Sequence, residues 1–565
     1  MSTGLAITTG NAMLKGDAAD VPFDPRAGCH IEPLVEAAEM FPELERLALA
    51  ATDHVWLAFR IFDPATRVHS DEAIALGLGD WGELIGHVAG KGVAVRIMLA
   101  DFEPVMADYL HAGSWRAFRR LKALQEAEDG RVQVMVIEHV GEIGWAWRQL
   151  LRLPLRTKTR KVITAALAQD GAIEARPGLW RNVKWDDGRA SGWKASAPPR
   201  LWPATFHHKF AVFDGEIAIV GGIDVNNRRY DDENHDQRAD QTWHDISCRL
   251  RGPVVVDAAR HYARLWNAEA PRAKEIADYW SDGAPEAIAL GEICRLAEPE
   301  AAPTGTGPAT VQLLRTRSAR NDSAFAFGPR AHVRELKAAH ALLFRSARER
   351  IYVEAQFFRS RDASRWLAAA LKANPALEVI ILIANAPEEI AFEGQGGNPA
   401  HRHGEYLQAR ALKRVVKAGG IDRVGLFTLA RDARAKGKER KFGEERGTAF
   451  GSGLIHIHSK LVIADDDAVL LSSANINGRS FEWDTELGVL WQEPGGAIAA
   501  LRGAMWQALS EGALNERASL ADWRKLALSN ARSDPEDRSG FIIPYQIGRA
   551  RRFGRPAWFV PDDLV

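Results

Sequence analysis

Cysteine is scarce: three residues, Cys29, Cys248 and Cys294, lie far apart in no ligand-like spacing. That excludes a disulfide framework and a cysteine-based metal site. No uninterrupted apolar run reaches the ~18 residues of a membrane span. The opening stretch, MSTGLAITTGNAMLKGDAAD, lacks the basic-then-apolar pattern of a secretion signal. The expectation is a chain made in the cytoplasm, soluble or peripheral at a membrane, with signal-independent export left open. Neither sign of charge is in excess, with 73 Lys+Arg against 74 Asp+Glu. Dedicated nucleic-acid binders usually carry a basic excess, so nucleic acid is not the favoured partner. No His/carboxylate group has metal-ligand spacing, so neither metal nor cofactor is expected. No obligate protein partner is indicated.

At 565 residues the chain exceeds one ordinary core, which points to two domains or one duplicated domain. Its 46% hydrophobic and 26% charged residues are those of a globular protein rather than a disordered one. Residues 1–25, rich in Gly, Ala and Thr, read as a loose tail. Residues 31–51 have a helical pattern, and HVWLAFRIF (54–62), VAVRIMLA (93–100) and RVQVMVIEHV (131–140) read as strands. After a Pro/Gly/Thr-rich stretch over 298–310 the order returns. A helix over 332–348 precedes strand RIYVEAQFF (350–358), a further helix, strand LEVIILIA (377–384), a long helix over 404–418 and strand RVGLFTLA. Strands alternating with helices make this an α/β protein of two similar halves. The expected division is a flexible tail over 1–25, a first half over 26–297, a linker over 298–310, a second half over 311–515 and a C-terminal extension over 516–565.

The duplication is most concrete in two stretches, TFHHKFAVFDGEIAIVGGIDVNNRR from Thr205 and HIHSKLVIADDDAVLLSSANINGRS from His456. Each holds His-x-Lys, four residues, then Asp: His207, Lys209, Asp214 and His458, Lys460, Asp465. A small pair follows at equal offset (Gly221-Gly222, Ser472-Ser473), then Asp224 or Asn475, then Arg228 or Arg479. His and Lys two apart on a strand project from one face. Asp214-Gly215 and Asp465-Asp466 have turn chemistry, so each unit is a strand-turn-strand hairpin. Asp214 and Asp465 stand at odd offset from the His, off the His/Lys face, and read as turn-capping rather than catalytic. His208 and His456 read as packing neighbours. A lone strand histidine is ordinarily structural. A His-Lys pair repeated in the same context is a candidate reaction centre.

These motifs resemble the phospholipase D superfamily, whose HxKxxxxD signature occurs twice with trailing GG and SAN elements. The resemblance runs over residues 27–509. GGIDVNNRRYDDENH, TWHDIS, VQLLRTRS and IYVEAQFF are similar to the eukaryotic-type phospholipases D in particular. Ala355 stands where that pattern usually has Asn, and Asn226 and Arg228 where it has Cys and Gly. These departures bear on substrate preference rather than on the chemistry. The resemblance implies the phospholipase D fold: two α/β sandwich halves about a pseudo-twofold with one shared active site.

Two His-Lys pairs brought together supply charge neutralisation, a nucleophile and a leaving-group acid for a phosphodiester without metal. Lys209 and Lys460 would hold the non-bridging oxygens, helped by Asn475, Asp224 and the backbone near Gly222 and Ser473. One neutral His would attack phosphorus, and the other, protonated, would serve the leaving alcohol. By resemblance His207 is the nucleophile and His458 the acid/base; the sequence itself is symmetric here. Asp245 and Glu486, each following its motif at the start of an apolar strand, are candidates to orient the histidines.

The stretch from Trp145 to Trp202 holds six tryptophans (145, 147, 180, 185, 193, 202) and twelve Arg/Lys against four Asp/Glu. That composition suits a phospholipid membrane surface, the expected partner, although it also suits single-stranded nucleic acid or a solvated lid. Segment 392–406, rich in Gly and His, reads as a mobile loop over the cleft. The implied activity is hydrolysis of the distal phosphodiester of glycerophospholipids, with transphosphatidylation open. The alternatives are a cardiolipin-synthase-like phosphatidyltransferase, a nuclease of the same superfamily and a non-catalytic lipid-binding scaffold.

Overall fold

The strands with the most continuous apolar sequences lie at the centre of two sheets, covered by helices on both sides. In this computed structural model the described residues are 5–8, 21–196, 200–392, 399–436 and 447–565. The first half contributes β1 (Arg26–Val35), β2 (His54–Phe59), β3 (Ala94–Ala100), β4 (Val132–Ile137), β5 (Lys209–Phe213), β6 (Ile217–Gly221) and β7 (Ile246–Arg251). The second contributes β8 (Ala309–Ala319), β9 (Arg350–Ala355), β10 (Glu378–Ile383), β11 (Val424–Arg434), β12 (Lys460–Ala464), β13 (Ala468–Ser472) and β14 (Glu486–Gln492).

Hydrogen-bonded order in the first sheet is β4-β3-β2-β5-β6-β7-β1. In the second it is β11-β10-β9-β12-β13-β14-β8. Three parallel strands followed by four antiparallel ones occur in the same chain order in both, so the halves are structural repeats. Their first strands, β1 and β8, pair antiparallel and join the sheets edge to edge (Arg26 opposite Val311, Cys29 opposite Ala309). Helix α1 (Glu36–Ala50) follows β1, and α2 (Trp145–Leu150) and α3 (Arg152–Ala166) cap the first half. In α4 (Val255–Ser281) Tyr262 and Trp266 are fully buried, and the Tyr262 hydroxyl donates to the Arg96 carbonyl at 2.7 Å. Trp506, on α6 (Ala497–Leu509) after β14, packs edge-on against Tyr352 of β9 in the same half. Among the described residues no helix is long and apolar enough to cross a membrane.

Asp214 and Asp465 do equivalent structural work. Each sits at the hairpin turn with left-handed backbone (φ 51° and 52°) and turns its carboxylate onto the chain entering the neighbouring strand. Asp214 accepts from the amides of Thr52, Asp53 and His54 at 2.8–2.9 Å. Asp465 accepts from those of Arg348, Glu349 and Arg350 at 2.5–2.8 Å. They fix β5 against β2 and β12 against β9, and so set the register of each His-Lys strand.

Three expectations need correction. Residues 31–35 belong to β1, not to the following helix; the helical pattern starts at Glu36, where a left-handed residue (φ 62°) turns the chain. Part of the tail is packed: the Ile7 amide donates to Gln312 at 2.7 Å and Ile7 and Phe23 are buried, while Val21 is exposed and 9–20 lie outside the described residues. The C-terminal extension is part of the second half, because β15 (Ile542–Pro544) pairs with β11.

Candidate active site

Each motif histidine lies just before its lysine strand, where the chain crosses to the other half. The Phe206 segment bridges in parallel to Thr485, and the His207 amide donates to the Thr485 carbonyl at 2.8 Å. On the other side His456 and Ile457 pair in parallel with Trp243 and His244, and the His458 amide donates to the His244 carbonyl at 2.7 Å. Thr485 and His244 immediately precede the two candidate carboxylates. The orienting pairs are therefore crossed. His207 Nδ1 donates to Glu486 Oε2 at 2.9 Å, and His458 Nδ1 donates to Asp245 Oδ2 at 2.6 Å. Sequence order places each carboxylate behind its own motif; the fold gives it to the other one. With Nδ1 held, Nε2 of each ring is the reactive nitrogen.

All six groups are buried. Loss of water, then the adjacent Lys209 and Lys460 charges, push His207 and His458 well below the ordinary imidazole range. Burial raises Asp245 to about 6 and Glu486 to about 8. It lowers Lys209 to about 8 and Lys460 to about 7. Lys209 Nζ donates to the His207 carbonyl at 3.1 Å and lies 3.7 Å from Asp224; Lys460 Nζ donates to the His458 carbonyl. An arriving phosphodiester anion offsets the lysine charge and makes an imidazolium accessible in the complex, where the reaction needs one.

These values fix a pH dependence. Below about pH 7 both lysines of the free site are charged; above about pH 8 both are neutral. We expect kcat/KM for a soluble phosphodiester to fall as pH rises through 7–8, because this ratio reports the free protein. The bound anion restores the lysine protons, so the fall in kcat is displaced to higher pH. A kcat/KM profile flat to pH 9 contradicts the assignment.

The residues after the hairpins divide differently from the sequence-based expectation. Asn475 lines the cleft, where its side-chain amide Nδ2 can donate to a phosphodiester oxygen. Asp224, its equivalent, is fully buried, accepts from the Ile61 amide at 2.9 Å and faces Lys209, so it supports the lysine and not the substrate. Gly222 and Ser473 lie behind the carboxylates rather than in the cleft. Ser473 Oγ donates to Glu486 at 2.5 Å while its carbonyl accepts from His207 Nδ1 at 3.1 Å. A Cβ on Gly222 would stand 2.9 Å from the Asp245 carboxyl carbon. Gly222→Ala is therefore expected to displace Asp245 and lower turnover at least ~10-fold, by misorienting His458. Unchanged activity in that variant contradicts the orienting role of Asp245.

Asp245 is itself held by Glu36, whose Oε2 accepts from the Asp245 amide at 3.2 Å. Glu36 Oε1 accepts from His244 Nδ1 at 2.5 Å, and His244 Nε2 donates to Glu354 at 3.0 Å. Burial opposes charge on His244, but the two glutamates outweigh it and hold the ring well above its usual pKa. This imidazolium ties α1 of one half to β9 of the other behind the reaction centre. Glu36, His235 and His244 have ligand-type atoms within 4.8 Å of one another, the one such group among the described residues; both His244 nitrogens are already donated to carboxylates.

His207, His458, Asn475 and Arg479 open on a cleft of about 640 Å³. Sequence reading missed two residues in its wall, Arg60 and Gln356. Both follow the residue that pairs with a motif lysine (Phe59 with Lys209, Ala355 with Lys460), so laying one half over the other would have found them. His208 points away, toward His261 (3.1 Å), while His456 sits behind the cleft wall and meets Gln356 at 3.3 Å. Of segment 392–406, residues 393–398 lie outside the described residues. Residues 399–406 open helix α5 (Pro399–Arg423) and are not loop; His403 is occupied by Asp562 at 3.0 Å.

Residues 342–507, which hold the second hairpin and Glu486, match the family model described as "Cardiolipin synthase, PLD-like domain". The chain carries a phospholipase D-like domain. Mouse phospholipase D1 is 29% identical over 296 residues, covering 47% of this chain and 25% of that protein. Phospholipase D alpha 2 of Arabidopsis thaliana is 21% identical over 379 residues, covering 51% and 46%. The chain thus spans a quarter to under half of the length of these relatives. Among solved structures, phosphatidylserine synthase of Haemophilus influenzae Rd KW20 aligns over 85% of this chain and 86% of its own, with 14% identity and a TM-score of 0.47.

Proposed function

We propose that the protein is a phospholipase D-type phosphodiesterase that releases the headgroup of glycerophospholipids and leaves phosphatidic acid. One observation carries the lipid reading: the cleft is amphiphilic. Phe102, Met106, Leu110, Leu151 and Leu155 line it from the first half beside Arg60, Glu103 and Lys158, and the second half adds Phe327 and Phe357 beside Gln356, Glu388, Asn475 and Arg479. His207 and His458 line the same cavity, as suits a substrate that carries both acyl chains and a charged headgroup.

In the proposed reaction Lys209, Lys460 and Asn475 bind the phosphodiester oxygens. His207 Nε2 attacks phosphorus, His458 gives its proton to the leaving headgroup oxygen, and a phosphatidyl-histidine results. His458, now neutral, takes a proton from water, which displaces His207 and restores both rings. An alcohol in place of water gives transfer, the chemistry of the synthase named in the matched family's description.

The proposed partner is a phospholipid membrane surface. Trp145, Leu150 and Leu153 on α2 and α3 are exposed beside the apolar lining residues Leu151, Pro154 and Leu155. Of the other tryptophans of the insertion, Trp202 is buried against Trp280 and the rest are half-buried, Trp180 packing edge-on to Trp185. Incubation with phospholipid vesicles and a little 1-butanol tests the proposal. Phosphatidylbutanol should form at the expense of phosphatidic acid, and only with both histidines present. Cleavage of DNA with no glycerophospholipid cleaved would replace this reading with a nuclease.

A further inference from the structure

Two arginines in the cleft wall have charge and no partner. Arg359 follows β9 and is 8% exposed, yet its Nε and Nη2 are buried without a hydrogen-bond acceptor. Its guanidinium lies over the Phe357 ring, 3.8 Å from the centroid, and against Gly404, where a Cβ would stand 2.6 Å from the guanidinium carbon. Arg60 follows β2; its Nε is likewise unpartnered, and its guanidinium lies over Phe102 at 5.0 Å. An arginine stays charged, and leaving that charge buried and unpaired is strongly unfavourable, so such a group calls for an explanation. The nearest acids do not supply one. Glu388 is engaged by Arg228 at 2.8 Å and Arg229 at 3.4 Å, while Glu389 and Glu405 act on Arg359 only from beyond bonding distance.

The two arginines differ in place. Arg60 directly follows Phe59, the residue paired with Lys209, and its amide donates to the His208 carbonyl at 2.9 Å, so it stands beside the first His-Lys strand. Arg359 is not among the groups that act most strongly on either motif histidine. It lines the same cavity from the second-half wall that also contributes Gln356 and Glu388, four residues beyond Ala355, the partner of Lys460, with its amide donating to the Ile476 carbonyl at 2.8 Å. Resting on the lipid reading above, we propose that Arg359 is a second anion site, apart from the His-Lys centre, selecting phospholipids whose headgroup carries a further phosphate or carboxylate. The planar fork of the guanidinium suits either group, and its fixed place against Phe357 and Gly404 lowers the entropy lost on binding.

The test compares kcat/KM on vesicles of one bulk composition doped with phosphatidylserine, cardiolipin, phosphatidylethanolamine or phosphatidylglycerol. Phosphatidylserine brings a carboxylate and cardiolipin a second phosphate; the other two bring only the scissile phosphate. We expect the natural protein to favour one or both of the first pair by roughly 10-fold or more, the strength of a charged hydrogen bond. Arg359→Gln should collapse that ratio toward one. Its melting temperature should not fall, because the change removes an unpaired buried charge. A ratio near one in the natural protein, or a ratio that survives Arg359→Gln, overturns the proposal. Should Arg359→Gln fold poorly, Arg359→Lys keeps the charge without the fork and is expected to retain part of the ratio; a ratio unchanged from the natural protein overturns the site. If no phospholipid is cleaved, the lipid reading fails by itself. The anion site is then decided by inhibition of soluble-diester hydrolysis, in which glycerophosphoserine should compete more tightly than glycerophosphoethanolamine only when Arg359 is present. Equal inhibition by the two overturns it.

Discussion

Replacing His207 or His458 by alanine is expected to lower turnover about 10⁴-fold or more, with the fold retained. Each ring is the sole occupant of its chemical role, so removing either removes a whole step rather than one contact. The fold survives because the orphaned carboxyl need not remain a buried charge. Burial already raises Glu486 to about 8 and Asp245 to about 6, so each takes up a proton when its histidine is lost. Turnover of a short-chain phospholipid, with circular dichroism and a thermal melt on the same samples, checks this. Activity within tenfold of the natural protein in either variant is incompatible with the two-histidine reaction.

The crossed pairing makes a sharper prediction. Glu486→Gln and Asp245→Asn should each cost about 10²- to 10⁴-fold, since an amide no longer stabilises the correct ring tautomer. Their dependence on the leaving group should differ. Glu486 orients His207, the proposed nucleophile, so its loss is felt equally with an alkyl or a p-nitrophenyl leaving group. Asp245 orients His458, the proposed acid, and a good leaving group needs no acid, so Asp245→Asn should recover much of its activity on p-nitrophenyl esters. If each carboxylate served its own half, the two patterns would be exchanged. Paired measurements of kcat on both substrate types separate the cases.

What the sequence made legible was local and repeated. Both His-Lys strands, their turns and the structural place of Asp214 and Asp465 follow from period-2 geometry and turn chemistry, and these govern residues near one another in the chain. The partners of His207 and His458 were named, but their crossing was not visible. It arises where Thr485 and His244 meet the opposite motif across the two halves, a contact that leaves no local pattern. Gly222 and Ser473 were misplaced for a related reason. A small residue after a strand admits either a ligand or a side chain, and only the fold shows that Asp245 and Glu486 fill the space.

Residues 31–35 carry little alternation of their own and are held as strand by pairing with β7, while the strong amphipathic run from Glu36 dominates any window that spans both. The three-residue strand Ile542–Pro544 ends in proline and has no pattern to detect; pairing with β11 makes it part of the second half. The tryptophans of the insertion looked interfacial by composition. Packing buries Trp202 and half-covers four others, leaving Trp145, with Leu150 and Leu153, exposed.

The central claim is that the two halves build one phosphodiester-cleaving centre with His207 as its nucleophile. Rapid acid-free quenching during turnover of a diester bearing radiolabelled phosphorus, followed by peptide mapping, tests it directly. Label bound as phosphohistidine on His207, absent in His207→Ala and accumulating in His458→Ala with a p-nitrophenyl leaving group, is the result expected. Label on His458 would reverse the two roles, and turnover with no protein-bound phosphorus on either ring would contradict the account.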